Sequence, residues 1–496
     1  MIAVSKMIPV SKWMLPLSLC AIAVCAAIVA FSGGESSAAG AGIPDTPAAK
    51  GETALDRYVR QPDPAYRYEF VQSQEADGVK ASLLRMTSQE WLTSAEVDRT
   101  LWEHYLYVYS PATVTHSTGF LYITGGANDG NVPKPSRDLA GISRLSGSVV
   151  CELRMVPNQA ISFKNDSFGP RKEDELIAFG WDKFLKSKDS RWLARLPMTK
   201  SAVRAMDTVT AFMASDQGGG TTVDRFVVAG ASKRGWTTWT TAAVDKRVVA
   251  AVPIVIDLLN VEKSFVYHYQ KYGFWAPAVG DYFREGIMDR INDPAYREMM
   301  AIVDPYAYRE RYTMPKFIVN GSGDQFFRPE SSRFYFGALP GEKHLRYVPN
   351  AGHDVSKGTD ALPTIVAFYQ SILESRARPE LRWTVEGDGA LRVSSNVTPK
   401  AVRLWTAHNP KFNDFRVDSA GPIYQRRELA AVAENTWIGQ VEKPATGFTA
   451  YFVEAEWDGP GRYPLKFSTE VLVSPETLAH GLPEAGKTQV GPEKQQ

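Results

Sequence analysis

The chain reads Asp-Arg-Phe-Val-Val-Ala-Gly-Ala-Ser-Lys-Arg-Gly-Trp over residues 224–236. The apolar run before Gly230 predicts a buried strand, and the residues after Ser232 predict a helix. A serine on a sharp strand-to-helix turn presents its hydroxyl at the top of a sheet, where it can act as a nucleophile. The usual form of this turn is Gly-x-Ser-x-Gly, and here Arg234 stands in the place of the last glycine.

Two residues further along the chain supply what a serine nucleophile needs. Asp324 and His353 each follow an apolar run that predicts a strand. A serine hydroxyl needs a base to accept its proton, and a carboxylate to hold that base in one tautomer. Nucleophile, acid and base then follow in the chain order of the α/β-hydrolase fold. We therefore predict that Ser232, Asp324 and His353 form a catalytic triad.

Alternatives to these roles exist in the sequence. Asp257 ends a predicted strand over residues 248–256, and Asp354 directly follows His353, so both carboxylates also lie near strand ends. Ser232 has a structural alternative, in which its hydroxyl only caps the helix that follows. We predict Asp324 as the acid and keep both other carboxylates as alternatives.

Backbone amides are the predicted donors for the oxyanion that forms during acyl transfer. One is the N–H of Lys233, the residue after the nucleophile. The other is expected in the glycine-containing loop 124–130, from Gly126 or Ala127. The alternative for this loop is an ordinary glycine turn.

Three side chains are candidates for substrate binding. The segment 265–283 carries eight aromatic residues, and Tyr272 and Trp275 within it are predicted to shape a pocket. The alternative is that this segment packs on itself. Arg234 lies at the start of a helix, where the helix dipole disfavours a cation. We predict that it contacts an anionic group of the substrate, and the alternative is an ion pair with a structural acid.

The bond that is cleaved is not decided by the sequence. An aminopeptidase needs acidic side chains for the substrate amine, and Asp281, Glu285 and Asp289 are candidates, with a solvated helix face as the alternative. A carbohydrate esterase would instead line its cleft with Trp and Tyr side chains. Both classes therefore remain open.

Strands that alternate with helices predict an α/β fold with a mostly parallel central sheet. The apolar runs near residues 226, 250, 317 and 346 are continuous, as in strands covered on both faces. Short alternating segments after residue 378 predict a small β-sandwich instead. The predicted division is a signal peptide or N-terminal anchor (1–40), a flexible leader (41–51), an α/β-hydrolase domain (52–378) with a cap-like insertion at about 258–313, a C-terminal β-sandwich (379–474) and a disordered tail (475–496).

The N-terminal segment is typical of an export signal. Lys6 and Lys12 precede an apolar run over 13–31, and small residues follow. The run is about as long as a membrane span needs, so an uncleaved anchor is the alternative. We predict an exported protein, periplasmic or secreted. Cys151 is then the only cysteine of the mature chain, and we expect it to be buried in a strand.

Composition excludes several classes of function. The chain of 496 residues has 56 basic and 55 acidic side chains, so no charge excess points to nucleic acid or an anionic membrane. Its seven histidines are scattered without ligand spacing, so we predict neither a metal nor another cofactor. The expected partner is a small-molecule or peptide substrate, with membrane contact only through the possible anchor. The oligomeric state does not follow from the sequence.

The chain resembles the PhoPQ-activated pathogenicity-related proteins. The resemblance rests on Gly-Ala-Ser-Lys-Arg-Gly-Trp-Thr-Thr-Trp (230–239), Ala-Leu-Asp-Arg-Tyr-Val (54–59), Asn-Gly-Ser-Gly-Asp-Gln-Phe-Phe (320–327) and Pro-Asn-Ala-Gly-His (349–353). It covers about residues 52–470 and implies an exported protein of α/β-hydrolase type, akin to peptidases and esterases. It also implies an association with virulence and with resistance to antimicrobial peptides, without a settled substrate.

Two hypotheses follow for the function. The first is an exported serine hydrolase that cleaves an ester or peptide bond through an acyl-enzyme. The second is a binding or signalling protein that keeps the hydrolase scaffold without turnover. The irregular Lys-Arg-Gly turn after Ser232 motivates the second hypothesis.

Overall fold

The computed structural model describes residues 43–494. A central sheet of nine strands positions the residues that are predicted to be functional. Its strands are β1 (Arg67–Ala76), β2 (Val79–Glu90), β3 (Leu101–Pro111), β4 (Thr118–Ile123), β5 (Val150–Leu153), β6 (Arg225–Ala231), β7 (Val248–Ile254), β8 (Lys316–Gly321) and β9 (Lys343–Val348). The order across the sheet is β1-β2-β3-β5-β4-β6-β7-β8-β9. Strands β1 to β3 pair antiparallel, and the strands from β5 to β9 in this order pair parallel.

Helices connect these strands and cover the sheet. They are α1 (Ala54–Arg60), α2 (Arg137–Ser146), α3 (Glu173–Ser187), α4 (Arg195–Ala214), α5 (Lys233–Val244), α6 (Val261–Tyr272), α7 (Gly280–Arg284), α8 (Pro294–Val303) and α9 (Ala361–Leu373). Every residue of β8 and nearly every residue of β6 is buried, as the continuous apolar runs predict. The mostly parallel α/β architecture is therefore confirmed, and Cys151 is buried in β5 as expected.

Helices α6, α7 and α8 lie between β7 and β8, where the sequence predicts the insertion at about 258–313. None of the helices in the described residues is both long and apolar enough to cross a membrane. The predicted signal or anchor over 1–40 lies outside the described residues.

Two antiparallel sheets follow α9. Their elements are β10 (Leu381–Val385), β11 (Leu391–Ser395), β12 (Ala401–Asn409), α10 (Val417–Ala420), β13 (Gln425–Glu428), β14 (Thr436–Gly439), β15 (Phe448–Trp457), β16 (Leu465–Ser468) and β17 (Leu472–Ser474). One sheet has the order β10-β11-β14, and the other β13-β12-β15-β16 with β17 paired to β15. Buried side chains of these strands, such as Phe467, pack with Phe317 of β8 and Phe368 of α9. The C-terminal sheets therefore share a core with the hydrolase sheet.

Two segments differ from the sequence prediction. Residues 43–51 of the predicted flexible leader lie against the insertion, where Thr46 Oγ1 donates to Asp304 at 2.9 Å and the Ala49 N–H donates to the Ala307 carbonyl. The described residues of the predicted disordered tail lie along the insertion as well, since the N–H of Trp275 donates to the Gln489 carbonyl. Composition alone suggested disorder because it does not reveal these hydrogen-bond partners.

Candidate active site

Ser232 occupies a strained turn between β6 and α5. Its φ of 58° and ψ of −126° are unfavourable for a residue with a side chain. Such backbone strain is found where the surrounding structure holds a residue in place, as at many functional sites. A Cβ added to Gly235 would lie 2.9 Å from the carbonyl oxygens of Gly230 and Ile254. The close approach of strand and helix therefore falls at Gly235, one position later than in the usual motif. This explains how Arg234 is accommodated.

Asp324 and His353 are hydrogen-bonded to each other. Nδ1 of His353 lies 2.9 Å from Oδ2 and 3.1 Å from Oδ1 of Asp324. Asp324 also accepts the backbone N–H of Phe326 at 2.7 Å, and the Phe326 ring centroid lies 4.2 Å from that of the imidazole. Because Nδ1 faces a carboxylate, this nitrogen carries a proton and Nε2 is the nitrogen left to act as a base.

Within the described residues, neither Asp257 nor Asp354 hydrogen-bonds to the imidazole of His353. Asp257 accepts hydrogen bonds from the hydroxyls of Tyr335 at 2.7 Å and Tyr347 at 2.6 Å. Burial raises the pKa of Asp257 to about 8, although both tyrosine hydrogen bonds act to lower it. Asp354 accepts from Ser356 at the surface. Of the three candidate acids, Asp324 is the one that the structure brings to the histidine.

Ser232 and His353 both lie beside Phe326 and Phe327, but within the described residues they share no hydrogen bond. Nε2 of His353 is buried and has no hydrogen-bond partner in the residues described. Ser232 lines a pocket together with Phe326 and Phe327, and both phenylalanine rings lie against the imidazole. The structure therefore places all three members of the predicted triad around one group of aromatic side chains.

The pocket beside Ser232 is small. Its open space is about 20 Å³, which is enough for a single water molecule. The insertion supplies Phe265, Val279 and Tyr282 to its lining. The insertion therefore forms one wall of the pocket beside Ser232, and a larger ligand requires that lining side chains move.

Arg234 does not face this pocket. Its guanidinium forms two hydrogen bonds to Glu173, of 2.8 and 2.6 Å, and one to the Val156 carbonyl. Burial alone would raise the pKa of Glu173, but hydrogen bonds from Arg234 and the charges of Arg234 and Lys233 lower it to about 2. The predicted contact of Arg234 with substrate is thus replaced by the alternative, an ion pair with a structural acid.

Tyr272 and Trp275 also differ from their predicted role in substrate binding. Tyr272 is 5 % exposed and its ring lies under the guanidinium of Arg328, 4.6 Å from the centroid. Trp275 is 0 % exposed and packs edge-on against Phe265. Neither residue lines the pocket beside Ser232, because both side chains are used to hold the insertion together.

The predicted oxyanion donors have different surroundings. The N–H of Lys233 is in the first turn of α5, where amides have no intrahelical acceptor. Gly126 follows β4 with a φ of 130°, and its carbonyl accepts from the Gln159 side chain at 3.0 Å. Gly126 is not among the residues that line the pocket.

Acidic side chains that could bind an amine or a metal are occupied within the described chain. Asp281 pairs with Arg284, Glu285 pairs with Arg171, and Asp289 accepts the N–H of Gly486. Between residues 43 and 494, no group of three or more His, Cys, Asp or Glu side chains could hold a metal ion.

Contacts from the segment between β12 and β13 reach the loops that carry Asp324 and His353. The side chain of Asn350 donates to the Tyr424 carbonyl at 2.9 Å, and its oxygen accepts the Tyr424 N–H at 2.8 Å. Gln325 accepts the His353 N–H at 2.7 Å and donates to Asp418 at 3.0 Å. The C-terminal segment therefore fixes the positions of both loops.

Sequence reasoning did not identify several residues of this site. Asp174, Arg195, Phe326 and Phe327 line the pocket but were not predicted there, whereas Phe265 and Tyr282 belong to the aromatic segment that was predicted to shape it. Phe326 and Phe327 closely follow the predicted acid, and this adjacency was the signal available. Asp174 and Arg195 approach Ser232 only through the tertiary fold.

The sheet order, the serine turn after β6 and the Asp–His pair after β8 and β9 define a protein of the α/β-hydrolase fold. The chain belongs to the family described as PhoPQ-activated pathogenicity-related protein, which it matches over residues 55–416. This confirms the family to which the sequence motifs pointed.

One relative and two solved structures illustrate the similarity. Autocrine proliferation repressor protein A of Dictyostelium discoideum is 37 % identical over 458 residues, covering 86 % of this chain and 92 % of that protein. An acetyl xylan esterase of a Paenibacillus species has a TM-score of 0.46 at 16 % identity, covering 67 % of this chain and 97 % of its own. Acetyl xylan esterase 1 of a Thermoanaerobacterium species has a TM-score of 0.44 at 16 % identity, covering 63 % and 91 %.

Proposed function

We propose that this protein is an exported serine hydrolase that cleaves an ester or peptide bond. The observation that carries the proposal is the hydrogen bond between His353 Nδ1 and Asp324, at 2.9 Å. It leaves Nε2 without a hydrogen-bond partner among the described residues, and the imidazole packs against Phe326 and Phe327, which line the pocket of Ser232. A general base must come within hydrogen-bond reach of the serine hydroxyl, and Nε2 has no other partner among the described residues.

The proposed reaction proceeds in two halves. Oγ of Ser232 attacks the substrate carbonyl carbon and gives its proton to Nε2 of His353. The carbon–oxygen or carbon–nitrogen bond to the leaving group breaks, the leaving group takes that proton, and an acyl-serine remains. Water then attacks the acyl carbon with the same base, which releases the acid and restores Ser232.

Charge develops on the carbonyl oxygen in both halves. The N–H of Lys233 is the first proposed donor because it opens α5, where the helix dipole also favours an anion. Gly126 is retained as the second proposed donor. The Asp324 carboxylate stabilises the imidazolium that forms on His353.

A second candidate function is binding or signalling without turnover. The small pocket of about 20 Å³ favours it, because no substrate-sized group fits in this arrangement. The name of the relative from Dictyostelium, an autocrine proliferation repressor, also describes signalling rather than catalysis.

Export and a role in virulence complete the proposal. The basic residues followed by an apolar run at the N-terminus support export. The family description, pathogenicity-related, supports the link to virulence.

Turnover measurements separate the two candidates. Initial rates of the purified protein are measured on p-nitrophenyl esters and on aminoacyl coumarin amides, beside Ser232→Ala and Ser356→Ala. Ser356 is an exposed serine whose hydroxyl donates to Asp354, so its variant is the matched control. Hydrolysis that is lost in Ser232→Ala and kept in Ser356→Ala supports the proposed hydrolase. Faster turnover of the esters or of the amides then shows whether an ester or a peptide bond is the preferred target. Hydrolysis that survives in Ser232→Ala contradicts the proposal.

A further inference from the structure

Arg195 is a buried cation beside Ser232. It is the first residue of α4, is 3 % exposed and lines the pocket. Its Nη1 donates to the Lys233 carbonyl at 3.1 Å, its guanidinium also interacts with the Tyr282 hydroxyl, and its Nε has no partner within the described chain. The guanidinium also lies 4.1 Å from the centroid of the Trp236 ring. A carbonyl, the Trp236 ring and the Tyr282 hydroxyl thus hold this cation, and no carboxylate of the described residues forms a salt bridge with it.

The nearby carboxylates are already taken by other donors. Asp174 accepts from Lys233 Nζ at 2.9 Å and from the Tyr282 hydroxyl at 3.0 Å. Glu173 is held by Arg234, and by Lys233 at 3.0 Å. Lys233, Arg234 and Arg195 therefore share two carboxylates, and both of these already pair with Lys233 or Arg234.

Charges nearer the surface do not change this balance at Arg195. Arg284 pairs with Asp281 and also approaches Glu175 at 3.7 Å. Within the described residues, no salt bridge joins Arg195 to a carboxylate. Burial lowers the pKa of Arg195, and the nearby Tyr282 and Asp174 act in the opposite direction. A guanidinium remains protonated in proteins, so the buried charge persists.

A buried cation without a counter-ion is costly. A ligand that carries a negative charge into the pocket would remove this cost. The planar fork of arginine matches a carboxylate, which it can bind through two parallel hydrogen bonds. Since Nη1 is bonded to the residue after Ser232, a carboxylate bound here lies close to the scissile carbonyl.

We propose that the pocket beside Ser232 binds a carboxylate in the acyl part of the substrate, and that Arg195 determines this specificity. The inference rests on the proposed hydrolase function of Ser232. The substrate class is an ester or amide of an acid that carries a second, free carboxylate. Binding requires the aromatic lining of Tyr282, Phe326 and Phe327 to move apart, because the present space holds only a water molecule.

The test compares three matched alkyl fluorophosphonate probes whose chains have equal length. They end in a methyl ester, a carboxylate or an ammonium group. Oγ of Ser232 attacks phosphorus and fluoride leaves, so the labelling rate reports recognition of the chain end. Labelling rates are measured for the parent, Arg195→Met, Arg195→Lys and Arg204→Met. Arg204 is a matched control because it lies on the same helix and its Nε also lacks a partner, yet it pairs with Asp207.

The parent should react with the carboxylate probe at least about tenfold faster than with the methyl ester, since hydrogen bonds to charged groups have that effect. Arg195→Met should lose this ratio, Arg195→Lys should keep part of it, and Arg204→Met should keep it fully. Circular dichroism shows whether Arg195→Met folds. If it does not, the inference is tested by the ratio of carboxylate to methyl ester labelling rates in the parent and in Arg195→Lys.

Three results would overturn the inference. Equal rates for the carboxylate and methyl ester probes in the parent would remove the anionic specificity while leaving the hydrolase intact. Fastest labelling by the ammonium probe would assign recognition to Asp174 instead. Absence of labelling by all three probes in a folded parent would refute the proposed hydrolase, and the inference with it.

Discussion

Nδ1 of His353 lies 2.9 Å from Oδ2 of Asp324, so the carboxylate fixes the nitrogen that can act as a base. Asp324 is 4 % exposed and also accepts the Phe326 N–H, which holds it in one orientation. The other nitrogen, Nε2, is buried and has no hydrogen-bond partner between residues 43 and 494. In the proposed mechanism this nitrogen accepts the proton of Ser232.

Asp324→Asn tests the orientation of the histidine. The amide leaves the geometry nearly unchanged but no longer stabilises the imidazolium, so kcat should fall by about 10⁴-fold. Steady-state rates on the best ester substrate measure the effect. Asp418→Asn is the control, since Asp418 contacts Gln325 in the same loop without touching the histidine. Similar losses in both variants would show that the loop, and not the carboxylate, is responsible.

Gly321→Ala tests the close packing under the histidine loop. A Cβ at Gly321 would lie 2.3 Å from the Gly352 carbonyl oxygen and 2.7 Å from that of Ala351. Because backbone must move, we expect a loss of stability of about 1–3 kcal/mol and a fall in kcat. Gly337→Ala is the control, since a Cβ there meets nothing within 4 Å. Thermal unfolding and ester hydrolysis are measured together, and equal behaviour of the two variants would contradict this account.

Asn350→Gly tests whether the segment between β12 and β13 positions His353. Asn350 has a φ of 59°, a conformation that glycine adopts freely, so the change removes only the two hydrogen bonds to Tyr424. We expect kcat to fall by about tenfold because a shift of the base by a fraction of an ångström is costly. Asn435→Gly is a remote control with a φ of 48° and a side-chain hydrogen bond to Thr398. Hydrolysis that is as fast in Asn350→Gly as in the control would show that these contacts do not position the base.

Asp257 makes stability depend on pH. Its folded pKa is raised from 3.8 to about 8, so the folded state keeps a proton that the unfolded state has lost between these values. The free energy of unfolding should therefore fall as pH rises through this window, by at most about 1.4 kcal/mol per pH unit.

Asp257→Asn should remove this slope. Denaturant unfolding of the parent and the variant is compared from pH 4.5 to 8. Asp354→Asn is the control, because hydrogen bonds from Ser356 and the charge of Lys357 lower the pKa of Asp354 below 3.8. Its contribution is therefore constant across this pH range, and this variant should keep the slope of the parent. Parallel pH profiles for the parent and Asp257→Asn would contradict the prediction.

The sheet and its serine turn could be predicted because their signals are local. Continuous apolar runs mark buried parallel strands, and β6 and β8 are buried along nearly their whole length. The pairing of Asp324 with His353 agrees with the order along the chain. Residue order therefore carried enough information to predict this contact.

The partners of long side chains could not be predicted in the same way. Arg234 reaches Glu173 across 61 residues of sequence, and nothing local marks that acid as its partner. Tyr272 and Trp275 belong to an aromatic-rich segment, whose composition suits a cleft and a core equally. The tail likewise gains its order from hydrogen bonds to the insertion, such as the one between Gln489 and Trp275.

The central claim is that Ser232 is an activated nucleophile, and site mapping of a fluorophosphonate adduct tests it most directly. The purified protein is treated with the probe, digested and analysed by mass spectrometry, beside Ser232→Ala, His353→Ala and Ser356→Ala. The account predicts one adduct, on Ser232, which is absent from Ser232→Ala, strongly reduced in His353→Ala and unchanged in Ser356→Ala. A folded protein that forms no adduct, or forms it equally in His353→Ala, would contradict the account.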